Sequence, residues 1–112
     1  MLATITRDEL KQKLDRHDAL VLLDAPPESA FRKEHLPNVI NLPSEEVRAH
    51  APEILPDLKA EIVVYCGNAP CKRSDLATER LLDMGYSNVR DYHGSKKDWI
   101  NAGLPIERGP AG

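Results

Sequence analysis

Two cysteines and two adjacent cations stand in one short stretch, Cys66-Gly67-Asn68-Ala69-Pro70-Cys71-Lys72-Arg73. Ahead of it, Ile62, Val63 and Val64 form a continuous β-branched run, as expected of a strand buried on both faces. Gly67, Asn68 and Pro70 break that run. From about Ser74, Ala77, Leu81 and Met84 recur at helical spacing, and Gly85 suits the C-cap. Cys66 is thereby predicted where a parallel strand ends and a loop leads into a helix N-terminus. Ligands collect at such places in open α/β sheets, where loop amides and the positive end of the helix dipole converge. A thiol in that setting ionises readily, and the thiolate is the nucleophilic form. Cys71 reads either as a redox partner of Cys66 or as a plain loop residue. Four intervening residues, Gly67 and Pro70 among them, let the chain fold back far enough for a disulfide.

The elements that would hold this stretch can be read along the chain. Ala3-Thr4-Ile5 is a candidate short strand, and Thr6 with Glu9 a capping box for a helix carrying Leu10 and Leu14, ending near His17. Leu20 to Leu23 is a second strand, ending at Asp24. Pro27 opens a short helix with Ala30 and Phe31, and His35 to Asn38 is a turn. Val39 to Leu42 is a third strand, stopped by Pro43. Ser44 caps a helix from Glu45 to about His50, with Pro52 and Pro56 punctuating the segment after it. Asn88 to Tyr92 is a fifth strand, counting Glu61 to Tyr65 as the fourth. His93-Gly94 then turns into a last helix around Lys97 to Ala102. Strands alternating with helices over short links imply an α/β fold, a parallel sheet with helices on both faces.

A chain of 112 residues allows one domain, 1–112, with its core at about 3–107. Hydrophobic content of 41% against 29% charged residues suits a folded chain without long disorder. A net charge of −3 leaves no electrostatic footprint for nucleic acid or an anionic membrane. No apolar run resembles a signal peptide or a membrane span, so cytoplasmic residence is the expectation. In a reducing compartment two cysteines are more often catalytic or redox-active than a structural staple.

Leu22-Leu23-Asp24; Glu34-His35-Leu36-Pro37-Asn38-Val39-Ile40-Asn41-Leu42-Pro43; Val63-Val64-Tyr65-Cys66; Gly85-Tyr86-Ser87-Asn88-Val89; Tyr92-His93-Gly94; and Trp99 to Glu107 follow one another along the chain. In that order they resemble the motifs of single-domain rhodaneses, the thiosulfate:cyanide sulfurtransferase family. The resemblance implies a rhodanese-like five-stranded parallel sheet flanked by helices, and Cys66 as the residue that carries a persulfide. Three departures stand out. The family's Arg after the first Asp is absent, with Ala25-Pro26 in its place. Glu34 and Asn38 replace glycines, and the usual Gly-Gly turn is Gly94-Ser95. The active loop is extended: Arg73 lies seven residues after Cys66 rather than five, a C-x4-C loop of the kind found in some relatives.

Sulfur transfer needs a thiolate and a means of holding the sulfur it accepts. The expected substrate-binding loop is Gly67, Asn68, Ala69, Pro70, Cys71, Lys72 and Arg73, whose amides and cations would stabilise the thiolate, then the persulfide, and orient an anionic donor. Expected partners are a small anionic sulfur donor (thiosulfate, a persulfide or a polysulfide) and a thiol or cyanide acceptor, or a protein sulfur acceptor. No nucleic acid, membrane, cofactor or metal is implied. A zinc site from Cys66, Cys71, His35 and His93 lacks a second tight ligand pair. Two other readings stay open: a phosphatase or arsenate reductase-like enzyme, with Arg73 closing the loop on an oxyanion, and a sulfur-carrier or regulatory module without turnover of its own. Asp24 and His35 are expected to hold loops, and Trp99 to be core.

Overall fold

The computed structural model describes residues 3–67 and 72–109. Four parallel strands, β1 (Leu20–Asp24), β2 (Val39–Asn41), β3 (Glu61–Tyr65) and β4 (Val89–Tyr92), stand in the order β2-β1-β3-β4. They alternate with helices α1 (Arg7–Asp15), α2 (Glu28–Lys33), α3 (Val47–Ile54), α4 (Arg73–Asp83) and α5 (Ser95–Asn101), and a 3-10 turn at Ser44–Glu46 precedes α3.

Among the described residues the sheet has four strands, not the expected five. Thr4 forms only an isolated parallel bridge to Asp91, held by Ile5 N–H to Asp91 O (3.1 Å) and Asp91 N–H to Ala3 O (2.8 Å). The cause lies just downstream. Thr6 already serves as N-cap of α1, its hydroxyl accepting from Glu9 N–H at 3.1 Å, which leaves no chain for a longer ladder. The reciprocal half of the capping box is missing, because the Glu9 carboxylate pairs instead with Arg90 through two bonds of 2.7 and 2.8 Å. Pro52 lies inside α3 rather than beyond its end. Fully buried Val47 and Ala51 anchor that helix, and their burial outweighs one backbone bond lost to proline.

Adjacent strand residues point to opposite faces, which divides the core in two. Leu23, Ile62, Val64 and Val89 pack with Val47, Ala51, Ala77 and Leu81 of α3 and α4. Leu22, Val63, Tyr65 and Tyr92 pack with Leu10, Phe31 and Trp99 of α1, α2 and α5. Because the chain runs from β1 outward to β2 and then returns to the far side of β1, the order reverses between β1 and β3. The C-terminal ends of those two strands flank the crevice that such a reversal opens. Asp24 ends β1, and Cys66 comes directly after β3.

Candidate active site

Cys66 is buried, 1% exposed, at the end of the central strand β3. Its backbone is gripped by the start of α5. Cys66 N–H donates to Ser95 Oγ at 3.1 Å. Lys96 N–H donates to Cys66 O, and Lys97 N–H to Gly67 O, both at 3.0 Å. Ser95 Oγ in turn lies 3.1 Å from Tyr92 O and 3.3 Å from His93 O, within reach for its own proton. One hydroxyl thus accepts from the strand end and donates to the turn. Ser95 holds φ +64°, a region costly for most side chains. Its buried double hydrogen bond offsets that cost, which explains how serine stands where the resembling family has a second glycine. Asn38 adopts φ +57°, which asparagine tolerates better than most residues. Glu34 is merely extended at φ −169° and needs no glycine.

At the end of the neighbouring strand β1, paired with Tyr65, lies a buried polar group. Asp24 is wholly buried, and neither carboxylate oxygen has a hydrogen-bond partner among the described residues. Burial pushes its carboxyl above the usual range, with Tyr65, Lys96, His35 and Asn41 acting in the opposite direction. The Tyr65 hydroxyl accepts from Leu36 N–H at 3.1 Å, and its own burial, then Asp24, drive the phenol well above its ordinary pKa. Lys96, 7% exposed, donates to Glu34 O at 2.6 Å and Ala30 O at 3.4 Å, capping the end of α2. His35 is also buried, stacked on Phe31 at 4.0 Å with Nδ1 2.9 Å from Phe31 O. Its backbone pairs with Glu107 in an isolated antiparallel bridge, so it holds the tail, and the expected turn is confined to Pro37 and Asn38. A carboxyl whose folded pKa is raised favours the fold while protonated, and that contribution disappears as pH rises through the folded value. Asp24→Asn is therefore expected to be more stable than wild type near neutral pH, with the advantage shrinking toward about pH 4. Thermal melts across that range check the sign. A variant less stable at neutral pH would mean that Lys96 stabilises the carboxylate more than burial penalises it.

Lys72 is the N-cap of α4, and Arg73 its first residue. Arg73 is ion-paired with Glu45 of the 3-10 turn, with side chains 40% and 60% exposed. Glu45's own backbone N–H, and then Arg73, hold its carboxyl below the usual range. An exposed pair of this kind contributes only about 0.2–1 kcal/mol. Arg73→Ala is expected to change stability by no more than that while lowering use of an anionic donor several-fold. Matched losses in donor use and melting temperature would make Arg73 a purely structural residue. The expectations for Asn68, Ala69, Pro70 and Cys71 lie outside the described residues, and with them the redox pairing of Cys71.

Sequence reasoning noted Ser95 only as a departure from a Gly-Gly turn and did not single out Lys96 or Asp91. A serine following glycine in a tight turn was the available signal for Ser95. Asp91, on β4, is 2% exposed beneath the first turn of α4. Burial pushes its carboxyl up to about 6; Ser74 opposes that and Asp75 adds to it. His93 is exposed at the end of β4, its Nδ1 3.8 Å from Asp91 Oδ2.

The family model for the rhodanese-like domain matches residues 6–102. The chain is 31% identical over 105 residues to an HTH-type transcriptional regulator of Mycobacterium tuberculosis, covering 94% of this chain and 45% of that protein. It is 27% identical over 106 residues to a sulfurtransferase of Allochromatium vinosum, covering 95% of each. The solved thiosulfate sulfurtransferase of Pseudomonas aeruginosa superimposes with a TM-score of 0.88 at 25% identity, covering 98% of this chain and 21% of that one. The chain spans only 21% to 49% of the length of several curated relatives it matches. Among the described residues no helix is long and apolar enough to cross a membrane.

Proposed function

The chain belongs to the rhodanese family, and from that premise we propose that it moves sulfane sulfur through a persulfide on Cys66. Relatives in this family are named sulfurtransferases and sulfur carriers, which supports sulfur transfer in general. The observation that carries the assignment to Cys66 is its position: directly after the central strand, at the topological switch, with its backbone fixed by Ser95 and Lys96. A nucleophile gains from such fixing because the attack geometry is set before the donor arrives.

With thiosulfate as donor, the Cys66 thiolate attacks the outer sulfur. The sulfur–sulfur bond breaks and sulfite leaves with the electron pair, so Cys66 becomes a persulfide anion. An acceptor thiolate, or cyanide, then attacks the outer persulfide sulfur and the Cys66 thiolate departs. Each step exchanges one bond to sulfur for another, and no cofactor enters. This is two-step covalent catalysis. Amides of the loop after Cys66 and the cations Lys72 and Arg73 supply positive potential for the donor and the persulfide. Cys71, in the same loop, is the resolving thiol of this reading: its attack on the inner persulfide sulfur would release hydrosulfide and leave a Cys66–Cys71 disulfide.

Intact-protein mass tests the proposal. Incubation with thiosulfate, and separately with glutathione persulfide, should add one sulfur atom that reductant removes. Failure of both donors, together with hydrolysis of an aryl phosphate, would replace this reading with an oxyanion hydrolase. Loading by either donor without turnover on small acceptors would make the chain a carrier that passes sulfur to a protein.

A further inference from the structure

Three metal-ligating side chains meet that have no part in the proposed sulfur chemistry. Asp75 in the first turn of α4, Asp91 on β4 and His93 just after β4 each place one ligand atom within 4.8 Å of the other two. Two carboxylates so close repel each other. Arg73, on the same turn as Asp75, forms its ion pair with Glu45. The second observation is independent of that proximity. Asp91 is 2% exposed, and its Oδ1 has no hydrogen-bond partner among the described residues. A buried acceptor without a donor is costly, and an ion bound at the site would give that carboxylate a partner.

We propose that Asp75, Asp91 and His93 form a binding site for one divalent transition-metal ion. Two carboxylates cancel the charge of a dication. One imidazole beside two oxygen ligands suits zinc, cobalt or another borderline metal better than calcium or magnesium, which prefer oxygen alone. Ligand atoms on a single zinc lie about 2.0–2.2 Å from it, so the three must draw closer. The two less buried residues, Asp75 and exposed His93, provide that movement while Asp91 stays fixed in the sheet. Three protein ligands leave positions open on the solvent side, where His93 stands. The ion would tie the end of β4 to the first turn of α4, the helix into which the Cys66 loop leads. The proposal does not depend on the sulfur-transfer reading.

Cobalt(II) alone, titrated into the full chain and followed by visible absorption, is the direct probe, with zinc displacement measured by calorimetry. One ion per chain is expected, with weak visible bands and without the intense near-ultraviolet absorption of thiolate ligation. His93→Ala and Asp91→Asn should each weaken binding at least about tenfold, while a Cys66→Ser/Cys71→Ser double variant binds as wild type. His93 is exposed, so its variant decides the matter even where Asp91→Asn folds poorly. Binding weaker than about 1 mM would overturn the proposal and leave the two carboxylates sharing a proton. So would binding that survives His93→Ala or disappears with the cysteines.

Discussion

Cys66→Ala is expected to take up no sulfur from thiosulfate or a persulfide, while wild type gains the mass of one sulfur atom. The effect should be complete, because Cys66 is the one covalent acceptor of the proposed reaction and Cys71 acts only on a Cys66 that is already loaded. The fold should survive. The Cys66 backbone is bonded to Ser95 and Lys96, and those backbone bonds do not involve sulfur. Removing one buried sulfur from a packed site costs about 1–2 kcal/mol, within the usual range for a point substitution. Circular dichroism and a melting curve on the same sample separate lost chemistry from lost structure. Cys71→Ser should load sulfur as wild type does and lose only the subsequent disulfide. If Cys71→Ser cannot load and Cys66→Ala can, the two thiols exchange roles. If Cys66→Ala still turns over thiosulfate, the strand-end assignment is wrong.

How much of this was legible in the sequence depended on whether the signal was local. The bounds of β3 and α4 were read nearly to the residue, because a β-branched run and a helical repeat lie within one window. Gly85, at φ +102°, ends α4 as its residue type suggests. The expected first strand, Ala3 to Ile5, failed because Thr4 and Ile5 had to compete with the cap of α1, and one side chain cannot announce which use wins. Pro52 misled for a related reason: its local effect was outweighed by the burial of Val47 and Ala51 against strands distant in sequence. The site divided in the same way. The position of Cys66 at a strand end is legible from strand, loop and helix alone. Ser95 at φ +64°, Lys96 turned inward onto α2, and Asp91 beneath Asp75 depend on contacts that span the sheet, and no spacing rule encodes them.

Trp99→Ala should be the most damaging substitution away from the sulfur site. Trp99 is 1% exposed, lies edge-on to Tyr92 with ring centroids 6.4 Å apart, and donates its indole N–H to Pro105 O at 2.7 Å. Truncating a buried tryptophan to alanine costs about 3–5 kcal/mol, against a total of about 5–15 kcal/mol for a folded domain. A fall in melting temperature of roughly 10–20 °C is expected for a chain of this size. The loss should reach the active site as well. Trp99 anchors the helix whose first residues hold Cys66 and Gly67, so a loosened α5 releases the strand end it grips. Sulfur loading, measured well below the lowered melting point, is therefore expected to slow. Trp99→Phe separates the two consequences: it keeps most of the buried ring and loses one hydrogen bond, worth about 0.5–1.5 kcal/mol, so both stability and loading should stay near wild type. Since the chain has a single tryptophan, unfolding of both variants must be followed by circular dichroism and not by indole fluorescence. A Trp99→Ala protein that melts within a few degrees of wild type would show that α5 is held by its backbone bonds alone. One that melts low yet loads at full rate would show that the grip on Cys66 does not need the tryptophan.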